Sequence, residues 1–254
     1  MLRMIKSELY KTRHRLYPYL FTSIIVALGL AAVILFAVSN HGLAMDERVG
    51  FDGITVLTLN MLPIGLYFCL AFVDMVFSEE YKNQTMKNTV AFGMPRASVY
   101  LGKLITQILV AFASLFVILA GILGAGILIL GPVKDVSVWE MLRMVGERLL
   151  ASLPLWIGGL CFGNMLAFHV KSSTVYTLGY VGFFGLLPVI LQFAAYYYPK
   201  LNTVREWLLS PLFDLVLRDE LTQDTMFKCL IVGGTYALAT TLIGIFFYRK
   251  KEIN

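Results

Sequence analysis

The chain has 254 residues, of which 58% are hydrophobic and only 15% are charged, and its mean hydropathy is +0.76. This composition excludes an ordinary soluble globular domain and indicates an integral membrane protein. The net charge of +5 is explained by the orientation of membrane spans, so it predicts no nucleic-acid partner.

Residues 1–16 are predicted to form an amphipathic N-terminal helix that lies in the inner headgroup region and braces a docked partner. Basic side chains occupy the other faces of this helix, whose apolar side chains recur at Leu2, Ile5, Leu9 and Leu16. The alternative interpretation is a positively charged anchor ahead of the first span. Both interpretations place the segment in the cytoplasm.

Six apolar runs are long enough to cross a bilayer, since about 20 helical residues cover about 30 Å of hydrocarbon. They are Tyr17–Ser39, Ile54–Phe77, Val99–Leu130, Leu149–His169, Thr174–Tyr196 and Met226–Phe247. We therefore predict an all-α integral membrane fold with six transmembrane helices in a single transmembrane domain, residues 1–254. The cysteines fall in or beside these spans and are predicted to act as small apolar residues: Cys69, Cys161 and Cys229.

Basic residues near span ends are retained on the cytoplasmic side of a membrane. With both termini inside, 13 of the 21 Lys and Arg residues lie on the cytoplasmic side, and 11 of the 16 acids lie outside. The opposite orientation would break the rule at both termini. We predict a multi-pass protein of the cell membrane with cytoplasmic N- and C-termini.

The second span carries Asn60, Pro63 and Gly65, a combination that predicts a kink or a helix segment lining a pathway. Asp74 lies near its inner end, where a carboxylate is a functional candidate unless it simply meets water or Lys103. Few polar residues fall within the predicted spans. The candidates for a transport pathway are Asn60, Asp74, Gln107, Asn164 and Gln192.

A charged stretch, residues 78–98, separates the second and third spans and is predicted to be a cytoplasmic coupling region. Glu79 and Glu80 are placed to begin a short helix, since acids favour a helix N-terminus. The sequence Gly93-Met94-Pro95 is expected to end that helix. The alternative is a solvated loop with a fragment of amphipathic helix on the membrane surface.

Within this region, Glu80–Asn88 reads E-Y-K-N-Q-T-M-K-N and Pro95–Lys103 reads P-R-A-S-V-Y-L-G-K. These segments resemble the glutamate, threonine, arginine and lysine pattern of permease subunits in type-2 ABC exporters. The resemblance is strongest to the short six-helix permeases of Gram-positive bacteria linked to lantibiotic or bacitracin-type immunity and efflux, although many of those have glycine where this chain has Gln84. It implies a coupling helix that enters a cleft of a separate ATPase. The coupling residues that it implies are Glu79, Glu80, Thr85, Met86, Lys87, Val90 and Arg96.

The last outer segment, residues 197–225, follows an aromatic belt that marks the outer interface. Its apolar run from Glu206 to Glu220 is broken by Pro211 and Asp214 and is too short to cross a membrane. We predict a re-entrant or interfacial helix pair before the sixth transmembrane helix.

The sequence contains no GxxxxGK[ST] phosphate loop, so an ATP-driven role requires cytoplasmic ABC ATPase subunits that bind ATP and Mg. We predict no catalytic residues, metal or cofactor in this chain, and contacts with membrane lipid and with a second permease copy or a homologous permease. The predicted function is coupling of ATP hydrolysis to efflux of an amphipathic substrate such as a peptide antibiotic. The alternatives are a non-transporting membrane sensor or assembly protein and an intramembrane hydrolase, for which the three histidines do not converge.

Overall fold

The computed structural model describes residues 2–44, 47–83, 94–132, 137–170, 172–218 and 220–250, with the backbone alone for residues 78–83. Every regular element within these ranges is helical. The elements are α1 Leu2–Arg13, α2 Leu16–Ser39, α3 Phe51–Asn60, α4 Leu62–Asn83, α5 Arg96–Ile129, α6 Val138–His169, α7 Ser173–Val181, a π-helical turn Gly182–Leu186, α8 Leu187–Tyr197, α9 Leu201–Arg205, α10 Leu209–Val216 and α11 Gln223–Lys250.

Within the described ranges, five helices are long and apolar enough to cross a membrane, counting α7, the π-helical turn and α8 as the single span Ser173–Tyr197. The pair α3 and α4 forms a sixth span that is bent by 56°. The predicted all-α membrane fold is therefore confirmed. Helix α1 and the end of α11 lie at the same end of the bundle, because both contact the first turns of α5.

The bend between α3 and α4 falls at Met61. Pro63 has no N–H group with which to continue a helical hydrogen-bond ladder, which weakens the chain at this point. The indole of Trp156 on α6 donates a hydrogen bond of 3.2 Å to the carbonyl oxygen of Leu62. The kink expected from the sequence is confirmed, and a neighbouring helix supports the bent backbone.

Two spans begin earlier than predicted. Helix α6 begins at Val138, about three turns before Leu149. The reason is a reciprocal cap between Ser137 and Glu140. Ser137 Oγ accepts a hydrogen bond from Glu140 N, and the Glu140 carboxylate accepts one from Ser137 N. This first part of α6 is amphipathic and charged, so apolar length alone missed it. Helix α5 begins at Arg96, directly after Pro95, and not at Val99.

The expectation that Glu79 and Glu80 begin a new helix is wrong. Helix α4 runs without a break from Leu62 to Asn83, so both acids lie in its last two turns. No glycine or proline interrupts residues 66–83, and extending an existing helix avoids the unfavourable nucleation of a new one. This continuity outweighs the preference of acids for a helix N-terminus.

Helices α6 and α11 pack backbone to backbone in the middle of the bundle. A Cβ atom at Gly158 would lie 3.0 Å from the carbonyl oxygen of Gly233, and one at Gly233 would overlap the carbonyl group of Pro154. Small residues at such positions let membrane helices approach closely. The three cysteines are buried and free, as expected of small apolar residues.

The outer segment contains the short helices α9 and α10, as the sequence predicted. Helix α10 packs within the bundle, and its Ser210 hydroxyl donates a hydrogen bond of 2.6 Å to the carbonyl oxygen of Phe184 in the π-helical turn. Its buried residues are Leu209, Leu212, Phe213 and Val216. Helix α9 has no buried residue, so the two helices differ in how deeply they enter the protein.

Candidate functional site

The predicted coupling stretch lies between the end of α4 and the start of α5. Four of its residues lie outside the part of the chain that the structure describes: Thr85, Met86, Lys87 and Val90. The side chains of Glu79 and Glu80 are likewise outside it, although their backbone belongs to α4. Arg96 and the helix ends that flank the stretch are described, so the candidate site is built from them.

Arg96 joins the start of α5 to the end of α11. Its guanidinium Nη1 donates hydrogen bonds to the carbonyl oxygens of Tyr248, at 3.1 Å, and Arg249, at 2.7 Å. The guanidinium also lies 6.0 Å from the ring centroid of Tyr248. The last carbonyl groups of a helix lack intrahelical partners, and a cation complements the negative end of the helix dipole. Arg96 is therefore a side-chain cap for α11.

Replacing Arg96 by glutamine is expected to lower the stability of the isolated chain by about 1 kcal/mol, because α11 loses its cationic cap. Thermal unfolding in detergent, without any ATPase, measures this change. Arg143→Gln is the matched control, since Arg143 is exposed and its ion pair is with Glu147 on its own helix. An Arg96 variant as stable as that control would show that the cap contributes nothing.

A buried ion pair joins α1 to α5. The Lys103 ammonium lies 3.0 Å from Glu8 Oε2, and the two side chains are 1% and 2% exposed. Lys11 donates to the other oxygen, Oε1, at 2.7 Å. The Lys103 ammonium also lies 5.0 Å from the ring centroid of Phe77 on α4, so this one cation links its own helix, α5, to α1 and α4.

The electrostatics of this pair favour the charged forms. Burial raises the pKa of the Glu8 carboxyl, but the charge of Lys103 and hydrogen bonds from Lys11 and Lys103 outweigh burial and hold the pKa below its ordinary value. A buried carboxylate is stable only with such partners. Glu8 thus fixes α1 against the bundle through charge as well as packing.

Two further contacts complete the junction. Arg15, between α1 and α2, donates a hydrogen bond of 2.6 Å to the carbonyl oxygen of Met75 on α4. Gly102 on α5 lies against Met4, whose Cγ would be 2.6 Å from a Cβ atom at that glycine. We call the four residues Glu8, Arg15, Arg96 and Lys103, with their partners, the helix-end clamp. It joins α1, α4, α5 and α11 on both sides of the predicted coupling stretch.

The sequence did not reveal Glu8 or Lys103 as partners. The apolar residues from which the amphipathic helix was predicted include Leu2 and Leu16, which are 75% and 70% exposed on the surface of the protein. The buried stripe is instead Met4, Glu8 and Thr12, spaced four residues apart. One signal existed in the sequence: Glu8 is the only acid in the first 45 residues, and a lone acid at helical spacing from two buried positions suggests an ion pair.

The pathway candidates do not converge on one site. Asp74 accepts hydrogen bonds from the hydroxyls of Tyr176, at 2.8 Å, and Ser173, at 3.2 Å. The suggestion that Asp74 meets Lys103 is wrong, because Lys103 is held by Glu8. Asp74 instead links α4 to α7.

Gln107 and Asn164 do meet, in the fully buried space between α5 and α6. Gln107 Nε2 donates a hydrogen bond of 3.0 Å to Asn164 Oδ1. The remaining polar atoms, Gln107 Oε1 and Asn164 Nδ2, have no partner among the described residues. Asn60 and Gln192 are exposed on the outside of the bundle, so they do not share this buried position.

An apolar cavity of about 80 Å³ lies between α2, α4, α5 and α6. All four helices contribute an aromatic side chain to its walls, and these residues are Phe21, Phe68, Phe72, Phe112 and Trp156. None of the described residues that line it is charged. Such a cavity can accept only the apolar part of a molecule.

No three His, Cys, Asp or Glu residues within the described ranges come together in a way that could hold a metal ion. Fold and site together define a multi-pass membrane protein. Its helix-end clamp joins the helices α4 and α5, which flank the predicted coupling stretch, to α1 and α11. A family model described as ABC-2 family transporter protein matches residues 4–179, and the chain belongs to this family. No curated protein matches the sequence.

Membership of this family makes the chain a membrane permease of the ABC transporter type, a multi-pass protein that works with an ABC ATPase. The general resemblance drawn from the coupling stretch is thereby confirmed. Membership also favours transport over the sensor and hydrolase alternatives.

Proposed function

We propose that this chain is the permease subunit of an exporter in which a separate ATPase docks on residues 78–98 and drives efflux of an amphipathic substrate. The helix-end clamp is the observation that carries the proposal. It joins the two helices that flank the coupling stretch to the N-terminal helix and to the last helix. A force applied to the stretch is therefore delivered to the bundle and not to a loose loop.

The transmission of that force begins at α5. Arg96 passes movement of the first turn to α11, and Lys103 passes movement of the third turn to α1 through Glu8. One turn further, Gln107 joins α5 to Asn164 on α6. ATP-driven closure of two ATPase subunits would then tilt α5 together with its neighbours. This tilt would change the side of the membrane to which the pathway is open.

The substrate proposal rests on the apolar cavity and on the scarcity of buried charge. Aromatic walls from four helices, including Phe68 and Phe112, suit the apolar face of an amphipathic molecule. A membrane-active peptide, such as an antibiotic of the lantibiotic or bacitracin type, has such a face. The bacterial immunity role is proposed on the resemblance of the coupling stretch to permeases of that kind.

We further propose that the transporter contains two permeases, either two copies of this chain or this chain with a homologous permease. Large apolar side chains cover the outside of α8, where Ile190 and Phe193 are 60% and 73% exposed. Lipid or a second permease would cover this surface in the membrane. Both termini are proposed to face the cytoplasm, as the ATPase docking requires.

The test is a charge reversal in the coupling stretch. Glu80→Arg is expected to reduce copurification of the partner ATPase about tenfold and to abolish substrate-stimulated ATP hydrolysis, because a charge contact at the interface becomes repulsive. The measurements are the ATPase retained on the purified permease and the hydrolysis rate in proteoliposomes.

Lys6→Glu serves as the control, since Lys6 is exposed on α1 at the same end of the bundle. It changes the local charge by two units, in the opposite direction to Glu80→Arg, without touching the coupling stretch. Equal retention of the ATPase by wild type and Glu80→Arg would reject the proposed docking site. Equal losses in both variants would indicate that any charge reversal at this end of the bundle weakens docking, and would reject a specific contact of Glu80.

A further inference from the structure

A second groove, of about 510 Å³, lies outside the bundle at the elbow between α1 and α2, where both helices face α5. It is separate from the helix-end clamp and from the apolar cavity. The polar residues that line it are Thr12, Arg13, Tyr19, Thr22, Ser23 and Ser114. The groove therefore combines one cation with several hydroxyl groups, which the transport proposal does not use.

The polarity of the groove changes along its length. Arg13 lies at the end of α1 and Tyr19 in the first turns of α2, so the charged end is at the level of the amphipathic helix. Further along α5, Val110 and Val117 form an apolar wall. Val117 is 14 residues beyond Lys103 in the same helix, a rise of about 21 Å. One end of the groove thus suits a headgroup and the other suits an acyl chain.

Hydrogen-bond donors are available at the charged end. Tyr19 is 53% exposed, and neither its hydroxyl nor that of Ser23 bonds to another residue in the described ranges. At the base of the groove, the Thr22 hydroxyl on α2 donates a hydrogen bond of 3.0 Å to the Ser114 hydroxyl on α5. The Arg13 guanidinium adds a planar set of donors that matches phosphate oxygens.

The charge of α1 favours an anion at this elbow. Its only acid, Glu8, is paired with Lys103 and Lys11, so it does not offset the other basic residues on the exposed surface. Those residues are Arg3, Lys6 and Arg13. A second copy of this chain would bring the same positive charges to the groove, which like-charge repulsion disfavours.

We infer that the elbow groove binds an anionic phospholipid from the leaflet in which α1 lies. Its phosphate contacts Arg13 with the hydroxyls of Tyr19 and Ser23, and one acyl chain follows Val110 and Val117 along α5. The lipid fills the space between the α1–α2 elbow and α5, so it reinforces the contact that Glu8 and Lys103 make one turn before Thr12 in α1.

The test compares two lipids on the full chain in a neutral detergent. Native mass spectrometry during titration with dioleoylphosphatidylglycerol or dioleoylphosphatidylcholine gives the affinity for each. Wild type is expected to prefer the anionic lipid. Arg13→Gln is expected to weaken phosphatidylglycerol binding about fivefold, because one cation near an anionic lipid contributes about 1 kcal/mol. It is expected to weaken phosphatidylcholine binding less, because the choline cation offsets the charge of the phosphate that both lipids carry.

Lys6→Gln is the matched control, because it removes one charge from the same helix outside the groove. Ala113→Trp fills the groove without changing the charge and is expected to abolish phosphatidylglycerol binding. Equal losses in the Arg13 and Lys6 variants would overturn the inference in favour of general surface attraction. Equal affinity of wild type for both lipids would also overturn it, as would an efficient disulfide-linked dimer of Ser23→Cys, which would assign the groove to a second copy.

Discussion

Replacing Glu8 by glutamine is expected to lower the free energy of unfolding by about 3–5 kcal/mol, the largest effect of any single change proposed for this chain. The variant leaves the Lys103 ammonium almost fully buried without its carboxylate, since the two side chains are 1% and 2% exposed in the native pair. Equilibrium unfolding of the purified chain in detergent measures the loss.

Two further variants separate the buried pair from its exposed partner. Lys11 also contacts Glu8 but is 42% exposed, so Lys11→Gln is expected to lower the free energy of unfolding by less than about 1 kcal/mol. The double variant Glu8→Gln with Lys103→Met removes both buried charges and is expected to recover much of the loss. A Glu8 variant as mild as Lys11→Gln would contradict the interpretation of the clamp.

The same pair gives the stability a pH dependence of definite sign. The pKa of Glu8 is lower in the folded chain than its ordinary value, despite burial, because of Lys103 and Lys11. A carboxyl whose pKa is depressed by folding stabilises the protein above its unfolded pKa, about 4.3, and loses that contribution as the pH falls through the folded pKa. Wild type should therefore lose its stability advantage over Glu8→Gln progressively as the pH falls from about 4.3 through the folded pKa.

The sequence was sufficient for the features that depend on local composition. Apolar length located the six spans, and Pro63 and Asn60 marked the break at Met61. The sequence was not sufficient to locate a helix end where charged residues continue the helix. The first turns of α6 are held by the cap of Ser137, and the end of α4 extends through Glu79 and Glu80 because nothing in the backbone stops it.

The candidate site was less predictable because pairing between distant residues is a property of the tertiary fold. The sequence offered Asp74 as a partner for Lys103, but the packing of α1 places Glu8 beside Lys103, and Asp74 is bound by Tyr176. Arg96 was identified as important, yet its observed partners are backbone carbonyl groups of α11, more than 150 residues away. Carbonyl groups carry no signature in a sequence.

The second large effect is expected where α6 and α11 touch. Gly233→Ala is predicted to destabilise the bundle by about 2–3 kcal/mol, because the new Cβ atom would overlap the carbonyl group of Pro154 and lie 2.9 Å from the backbone nitrogen of Leu155. Backbone atoms cannot rotate away as a side chain can. The two helices would have to separate, and membrane helices associate largely through such close packing.

Gly234→Ala is the adjacent control, since a Cβ atom there meets nothing within 4 Å. Both variants gain the same helix propensity, up to about 1 kcal/mol, from the loss of a glycine, so the difference between their unfolding free energies isolates the steric cost. Thermal unfolding in detergent gives that difference. If the two variants unfold at the same temperature, the contact between α6 and α11 is looser than the glycine spacing indicates, and the bundle is held mainly by the clamp at its helix ends.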